Sequence, residues 1–128
     1  MKTILLSFAE AESRKAMFLS EHLSLKRYQV LFDSRGSLSG SKLPDAFPRV
    51  DIFVILQPLE LREEQLIAYW EHLILGQCIH PVDTLEMRII VPVGARRSIS
   101  HVSGVVPELR VDFSDFDQAI KEVCNFLS

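Results

Sequence analysis

The sequence predicts an α/β domain of flavodoxin-like architecture, a doubly wound five-stranded parallel sheet in the order 2-1-3-4-5 with helices on both faces. Three observations lead there. Short apolar runs alternate with helix-period segments along the whole chain. The runs are hydrophobic almost without interruption, as strands must be when both faces of a parallel sheet are covered. A length of 128 residues suits one core and a single domain, 1–128. Alternation of this kind imposes right-handed crossovers, because only that hand returns each helix to the sheet.

Residues 3–7 (TILLS) form the first predicted strand, and residues 9–23 the first helix, with Ala16, Leu19 and Leu23 at helical spacing beside Met17 or Phe18. Residues 28–32 (YQVLF) are the second strand. The DSRGSLSGSK stretch after it is too rich in Ser, Gly and Asp for anything but a long exposed loop. Two prolines, Pro44 and Pro48, leave room only for a short helix at 43–47. Residues 51–57 (DIFVILQ) are the third strand, with Phe53, Val54, Ile55 and Leu56 all expected in the core. Residues 88–93 (RIIVPV) are the fourth, with Pro92 near its end because proline cannot donate to a ladder. Residues 109–113 are a short fifth strand at an edge. Ser114 is the expected N-cap of the last helix, with Asp115 and Asp117 in its first turn and Phe116, Ile120, Val123 and Leu127 on its packed face.

The segment between strands three and four, LELREEQLIAYWEHLILG (59–76), reads as one amphipathic helix. Leu66, Ile67, Trp70, Leu73 and Ile74 share its apolar face, and Glu71 lies at the border of that stripe, on the flank of Glu60 and Glu64. A border carboxylate reaches a cleft without the cost of a buried charge. Glu60, Glu63, Glu64 and Glu71 also read as a plain solvated acidic face, the first three favoured near the helix N-terminus by its dipole.

Composition narrows the function classes. Hydrophobic residues at 48% and charged residues at 24% describe a folding globular chain. A net charge of −3 provides no basic footprint for nucleic acid. The apolar runs are strand-length, so no membrane span is expected, and with no signal-like h-region the chain is expected to be cytoplasmic. Cys78 and Cys124 are too few for a disulfide framework and are expected as reduced thiols, Cys124 in a helix core. His22, His72, His80 and His101 lack ligand spacing, so no metal is expected. Gly36 and Gly40 fit neither a Walker nor a dinucleotide Gly-x-Gly-x-x-Gly pattern. Ser7 has no His-Asp partners in view, which argues against a hydrolase triad. Arg96 and Arg97 can steer an anion or simply be solvated surface.

In a sheet of this order the ligand crevice lies outside the carboxyl ends of strands one and three, where the winding reverses. Ser7, Phe8, Ala9, Glu10 and Gln57 are predicted there, beneath the loop 33–42.

The stretches ILLSFAEAESR, VLFDSRGSLSGSKL and VDIFVILQP, with the Trp-Glu helix, resemble the Toll/interleukin receptor homology (TIR) domain in its bacterial single-domain form, over nearly the whole chain. That family opens with a strand ending in Ser-Tyr or Ser-Phe, then an acid and a base, here Ser7, Phe8, Glu12 and Arg14. Its second strand runs into an Asp and a Gly-containing loop, here Asp33 followed by Leu38, Ser39 and Gly40. The resemblance implies an NAD+ glycohydrolase in which a helix glutamate, matched by Glu71, promotes cleavage of the nicotinamide-ribose bond, in signalling or defence. It also implies substrate contacts from Ser7, Phe8, Arg14 or Lys15, Asp33 and Trp70, with NAD+ as substrate and no separate cofactor. Self-association through Leu38, Ser39 and Gly40 is implied too, giving a homo-oligomer, alone or within a larger parent protein. This chain ends its third strand with Gln57-Pro58 where the family has Ser or Thr, and it sets Trp70 directly beside Glu71. Glu64 is therefore the alternative position for the family glutamate. A non-catalytic TIR scaffold is the alternative function.

Overall fold

A computed structural model of the chain describes residues 2–33, 51–60, 65, 68, 86–104 and 106–128. Five parallel strands, β1 (Lys2–Phe8), β2 (Tyr28–Asp33), β3 (Ile52–Leu56), β4 (Glu86–Pro92) and β5 (Glu108–Val111), form one sheet in the order β2-β1-β3-β4-β5. This is the flavodoxin-like α/β arrangement the alternation predicts. The predicted helix at 43–47 and most of 59–76, with the residues assigned to its apolar face, lie outside the described residues, as does Cys78.

β1 and β3 form the centre of the sheet, and their composition explains it. Ile4, Leu5 and Leu6 are fully buried, as are Phe53, Val54, Ile55 and Leu56. Period-2 alternation then divides them between two layers. Ile4, Leu6, Phe8, Val54, Leu56, Ile90 and Val111 join one continuous cluster with Ala16, Leu19 and Leu23 of α1 (Ser13–Leu25) and Ala119, Val123 and Leu127 of α3 (Phe116–Leu127). Those two helices cover one face. Leu5, Ser7, Phe53, Ile55, Gln57, Ile89 and Val91 point to the other face and are just as completely withdrawn from solvent. β5, at an edge, reads differently: Leu109 and Val111 turn inward while Arg110 faces out on the second side.

Three local details depart from the sequence reading. The first helix does not start at Ala9. A 3-10 turn at Glu10–Glu12, closed by the Glu12 N–H donating to the Ala9 carbonyl at 2.8 Å, comes first, and α1 runs from Ser13 to Leu25. Glu12 is held there by Lys15 and by a remote partner, the Leu59 N–H. The N-cap of α3 is Asp115, not Ser114: its extended backbone lets Oδ1 accept from the Gln118 N–H at 3.2 Å, whereas the Ser114 N–H donates to Asp112 Oδ1 at 2.9 Å. Phe116, expected on the packed face, remains 40% exposed at the start of the helix and leans on Phe18, ring centroids 4.3 Å apart. Asp115→Ala is therefore expected to cost about 1 kcal/mol in urea unfolding, with Ser114→Ala near neutral, and equal losses would contradict this cap.

Among the described residues, no helix is long and apolar enough to cross a membrane.

Candidate functional site

The reversal of winding falls between β1 and β3, which both pair in parallel with their neighbours on opposite sides. A crevice at the carboxyl ends of these strands is the place where such sheets take ligands. Ser7 closes β1 there, opposite Asp33 on β2 and Ile55 on β3. It is fully buried, and its Oγ has no hydrogen-bond partner among the described residues. An orphaned buried hydroxyl is uncommon in a folded domain, because it forfeits its hydration without replacement.

Phe8 points the other way. Strand alternation turns its ring into the α1 and α3 layer, where it is 9% exposed and meets the Phe32 ring edge-on at 5.6 Å. Ser7 and Phe8, adjacent in sequence, are thus on opposite faces of the sheet. Arg14 is exposed in the first turn of α1. Lys15 is already engaged: its Nζ donates to Glu12 Oε2 at 2.6 Å and lies 5.4 Å from the centroid of the Phe113 ring. Asp33 ends β2 in register with Ser7. Trp70, Glu71, Glu64, Leu38, Ser39 and Gly40 lie outside the described residues.

Two residues at this end of the sheet have roles that the sequence does not announce. Glu12, only 6% exposed, receives the Leu59 N–H on Oε1 at 3.0 Å and the Lys15 ammonium on Oε2. One carboxylate thereby ties the turn after β1 to the segment leaving β3, across the switch point. A buried charge is tolerable because a cation and a backbone donor both compensate it.

Gln57 is fully buried just past β3 and uses both ends of its amide on the segment after β4. Its Nε2 donates to the Arg97 carbonyl at 2.6 Å and its Oε1 accepts the Ile99 N–H at 2.8 Å. A Ser or Thr here could not span that gap, so the longer amide is a clamp and not a substrate ligand. Gln57→Leu preserves the volume but strands one buried donor and one acceptor, and is expected to cost about 2–4 kcal/mol. Urea unfolding of the variant checks this, and a loss below 1 kcal/mol would rule the clamp out.

The segment after β4 continues with Ser98, whose Oγ lies 2.8 Å from Ser100 Oγ, which in turn donates to Glu108 Oε2 at 3.1 Å. Glu108 Oε1 is buried without a partner among the described residues. His101 Nδ1 is 2.9 Å from the Ser98 carbonyl, in the short helix α2 (Ser100–Ser103). The Asp112 carboxyl is held below its ordinary range by hydrogen bonds from Ser114, and burial pushes the Cys124 thiol up against a smaller opposing pull from Lys26. A raised thiol pKa leaves Cys124 a packing residue with little thiolate. Among the described residues no three His, Cys, Asp or Glu side chains are grouped as a metal site.

No protein-family model matches the sequence, and a search of curated proteins gives no significant match.

Proposed function

We propose that the domain is a TIR-type NAD+ glycohydrolase that breaks the nicotinamide-ribose bond, releasing nicotinamide and leaving ADP-ribose or a cyclic ADP-ribose product. Supporting the reading is the sheet reversal between β1 and β3, which brings the unpartnered Ser7 hydroxyl, the end of β2 at Asp33 and the segment leading into the Trp70-Glu71 stretch to one end of one sheet. In this reading Glu71 is the working carboxylate. The electron pair of the C1′–N bond departs with neutral nicotinamide, and positive charge develops on the ribose ring and C1′. A fixed anion near them lowers the energy of that oxocarbenium-like state. Water, or an adenine nitrogen of the same molecule, then bonds to C1′ with loss of a proton where required. Trp70 would border the substrate, Asp33 would shape the rim, and Arg14 would approach its phosphates, while Phe8, turned into the core, takes no part. NAD+ is the substrate and no separate cofactor takes part. A cytoplasmic setting in signalling or defence fits such a reaction.

The test is nicotinamide release from NAD+ by the concentrated protein. Turnover supports the reading, and none under concentrated or clustered conditions removes it. A second reading then takes over, a non-catalytic scaffold acting through TIR–TIR contacts. It is favoured by the position of β2 at an edge of the sheet, feeding straight into the Ser/Gly-rich stretch 33–42 with Leu38, Ser39 and Gly40. Self-association that is lost in Leu38→Ala or Gly40→Ala, read by concentration-dependent light scattering, supports the scaffold, and unaltered association in both variants counts against it.

A further inference from the structure

We propose that the outer edge of β5 pairs antiparallel with β5 of a second copy of this chain, joining two five-stranded sheets across a two-fold axis at Leu109. The backbone leaves that edge open. β5 ends the sheet and is bonded to β4 on one side alone. The Ile89 N–H donates to the Pro107 carbonyl at 2.9 Å and the Val93 N–H to the Val111 carbonyl at 2.8 Å, so residues 107, 109 and 111 turn their backbone groups toward β4. Glu108 and Arg110, alternating with them, direct theirs outward, where they have no backbone partner among the described residues. Proline is a usual guard of a sheet edge, but the nitrogen of Pro107 is on the β4 side with its carbonyl, and it withholds no donor from the outside.

The side chains specify a second copy and fix its register. Glu108 and Arg110 share the face opposite the α1 and α3 layer, where the Ser100 hydroxyl donates to Glu108 Oε2 at 3.1 Å and Arg110 Nη1 donates to the Ala95 carbonyl at 3.2 Å. With the axis at Leu109, Glu108 lies opposite Arg110 of the second copy and Arg110 opposite its Glu108, both as hydrogen-bonded pairs with their side chains on one face. A shift by one such pair sets Glu108 against Glu108 in one direction, and Arg110 against Arg110 with Glu108 against Asp112 in the other. Like charges directly opposite are destabilising, so one register along the strand remains. An edge carrying both signs is self-complementary, unlike the single-sign lysine edge that keeps copies apart. Neither charge is fully matched within its own chain: Glu108 Oε1 has no donor among the described residues, and the exposed Arg110 gives one nitrogen to Ala95. On the other face Leu109, only partly buried against the core, meets Leu109 of the second copy where the strands approach most closely. A two-fold contact of this kind closes on itself, giving a dimer and not a filament. It lies at the opposite edge of the sheet from β2 and is independent of the enzymatic reading.

The experiment is sedimentation equilibrium of the full chain up to about 1 mM, at low and high salt, on the parent, Arg110→Glu, Glu108→Arg and an equimolar mixture of the two variants. The parent is expected to form a reversible dimer with a Kd between about 10 μM and 1 mM, the weak end for a contact built on one short strand, and to dissociate further as salt rises. Each variant alone sets like charges opposite one another and should self-associate at least about tenfold more weakly. Mixed, an edge with two acids meets an edge with two bases, and the heterodimer should recover the affinity of the parent. A parent that stays monomeric throughout overturns the proposal. So does a parent dimer that neither substitution weakens, or a mixture that fails to recover while both variants melt as cooperatively as the parent. Should a reversal fail to fold, Arg110→Pro takes its place, since it withdraws an outward N–H that no described residue uses. Loss of the dimer in that variant supports the edge contact, and its persistence overturns it. None of these readouts depends on cleavage of NAD+.

Discussion

Val54→Asp is expected to abolish folding. Val54 is fully buried in the middle of β3, in register with Leu6 on β1 and Arg88 on β4, within the cluster formed by both central strands, α1 and α3. A carboxylate placed there forfeits its hydration at a cost of several kcal/mol. Rescue by Arg88 is blocked, since its guanidinium is already turned to the Met87 carbonyl, the Glu86 carboxylate and the Phe126 ring. The domain's total stability is only about 5–15 kcal/mol, so the substitution removes most or all of it. Val54→Ala is the control. It removes two methyl groups without adding charge and should cost only about 2 kcal/mol, retaining a cooperative melt. A soluble Val54→Asp protein that melts with the parent would show that β3 is not the centre of the core.

The second large effect concerns chemistry and not folding. Glu71→Gln is expected to lower nicotinamide release by roughly 10²–10³, the scale of loss when one preorganised electrostatic group is removed from a developing charge. The substitution keeps the side chain's shape, so the melting temperature should hardly move. Glu64→Gln is the matched comparison, about two turns earlier on the same flank of the predicted helix. A collapse of turnover in Glu64→Gln alone would transfer the role to that residue. Full activity in both variants would remove the helix carboxylates from the reaction.

Much of the fold was legible because strands and helices announce themselves locally. ILL (4–6), IFVIL (52–56) and IIVP (89–92) are apolar without a break, and parallel strands covered on both faces need that composition. Ala16, Leu19 and Leu23, like Val123 and Leu127, repeat at helical spacing and are buried as expected. The ends of elements were less legible. Ser114 and Asp115 are both good caps by residue type, and the choice fell to Asp115 because the backbone is extended there and its Oδ1 reaches the Gln118 N–H. The start of α1 moved to Ser13 for a comparable reason. Glu12 is occupied by Leu59 and Lys15, and a 3-10 turn is the local geometry that accompanies it.

The candidate site divides along the same line. By itself the sequence determined the order of elements, and with it the strand order and the position of the switch point, since periodicity and crossover handedness act over a few residues or one connection. Only the tertiary structure decided what the polar groups at that end of the sheet do. It sent Phe8 into the core and left the Ser7 hydroxyl on the opposite face without a partner. It also gave Gln57 to Arg97 and Ile99, and Glu12 to Leu59. These contacts join residues 40, 42 and 47 positions apart. Hydrophobic spacing carries no information over such separations, because a hydrogen bond depends on where two segments meet in space, and that is set by the packing of the whole sheet.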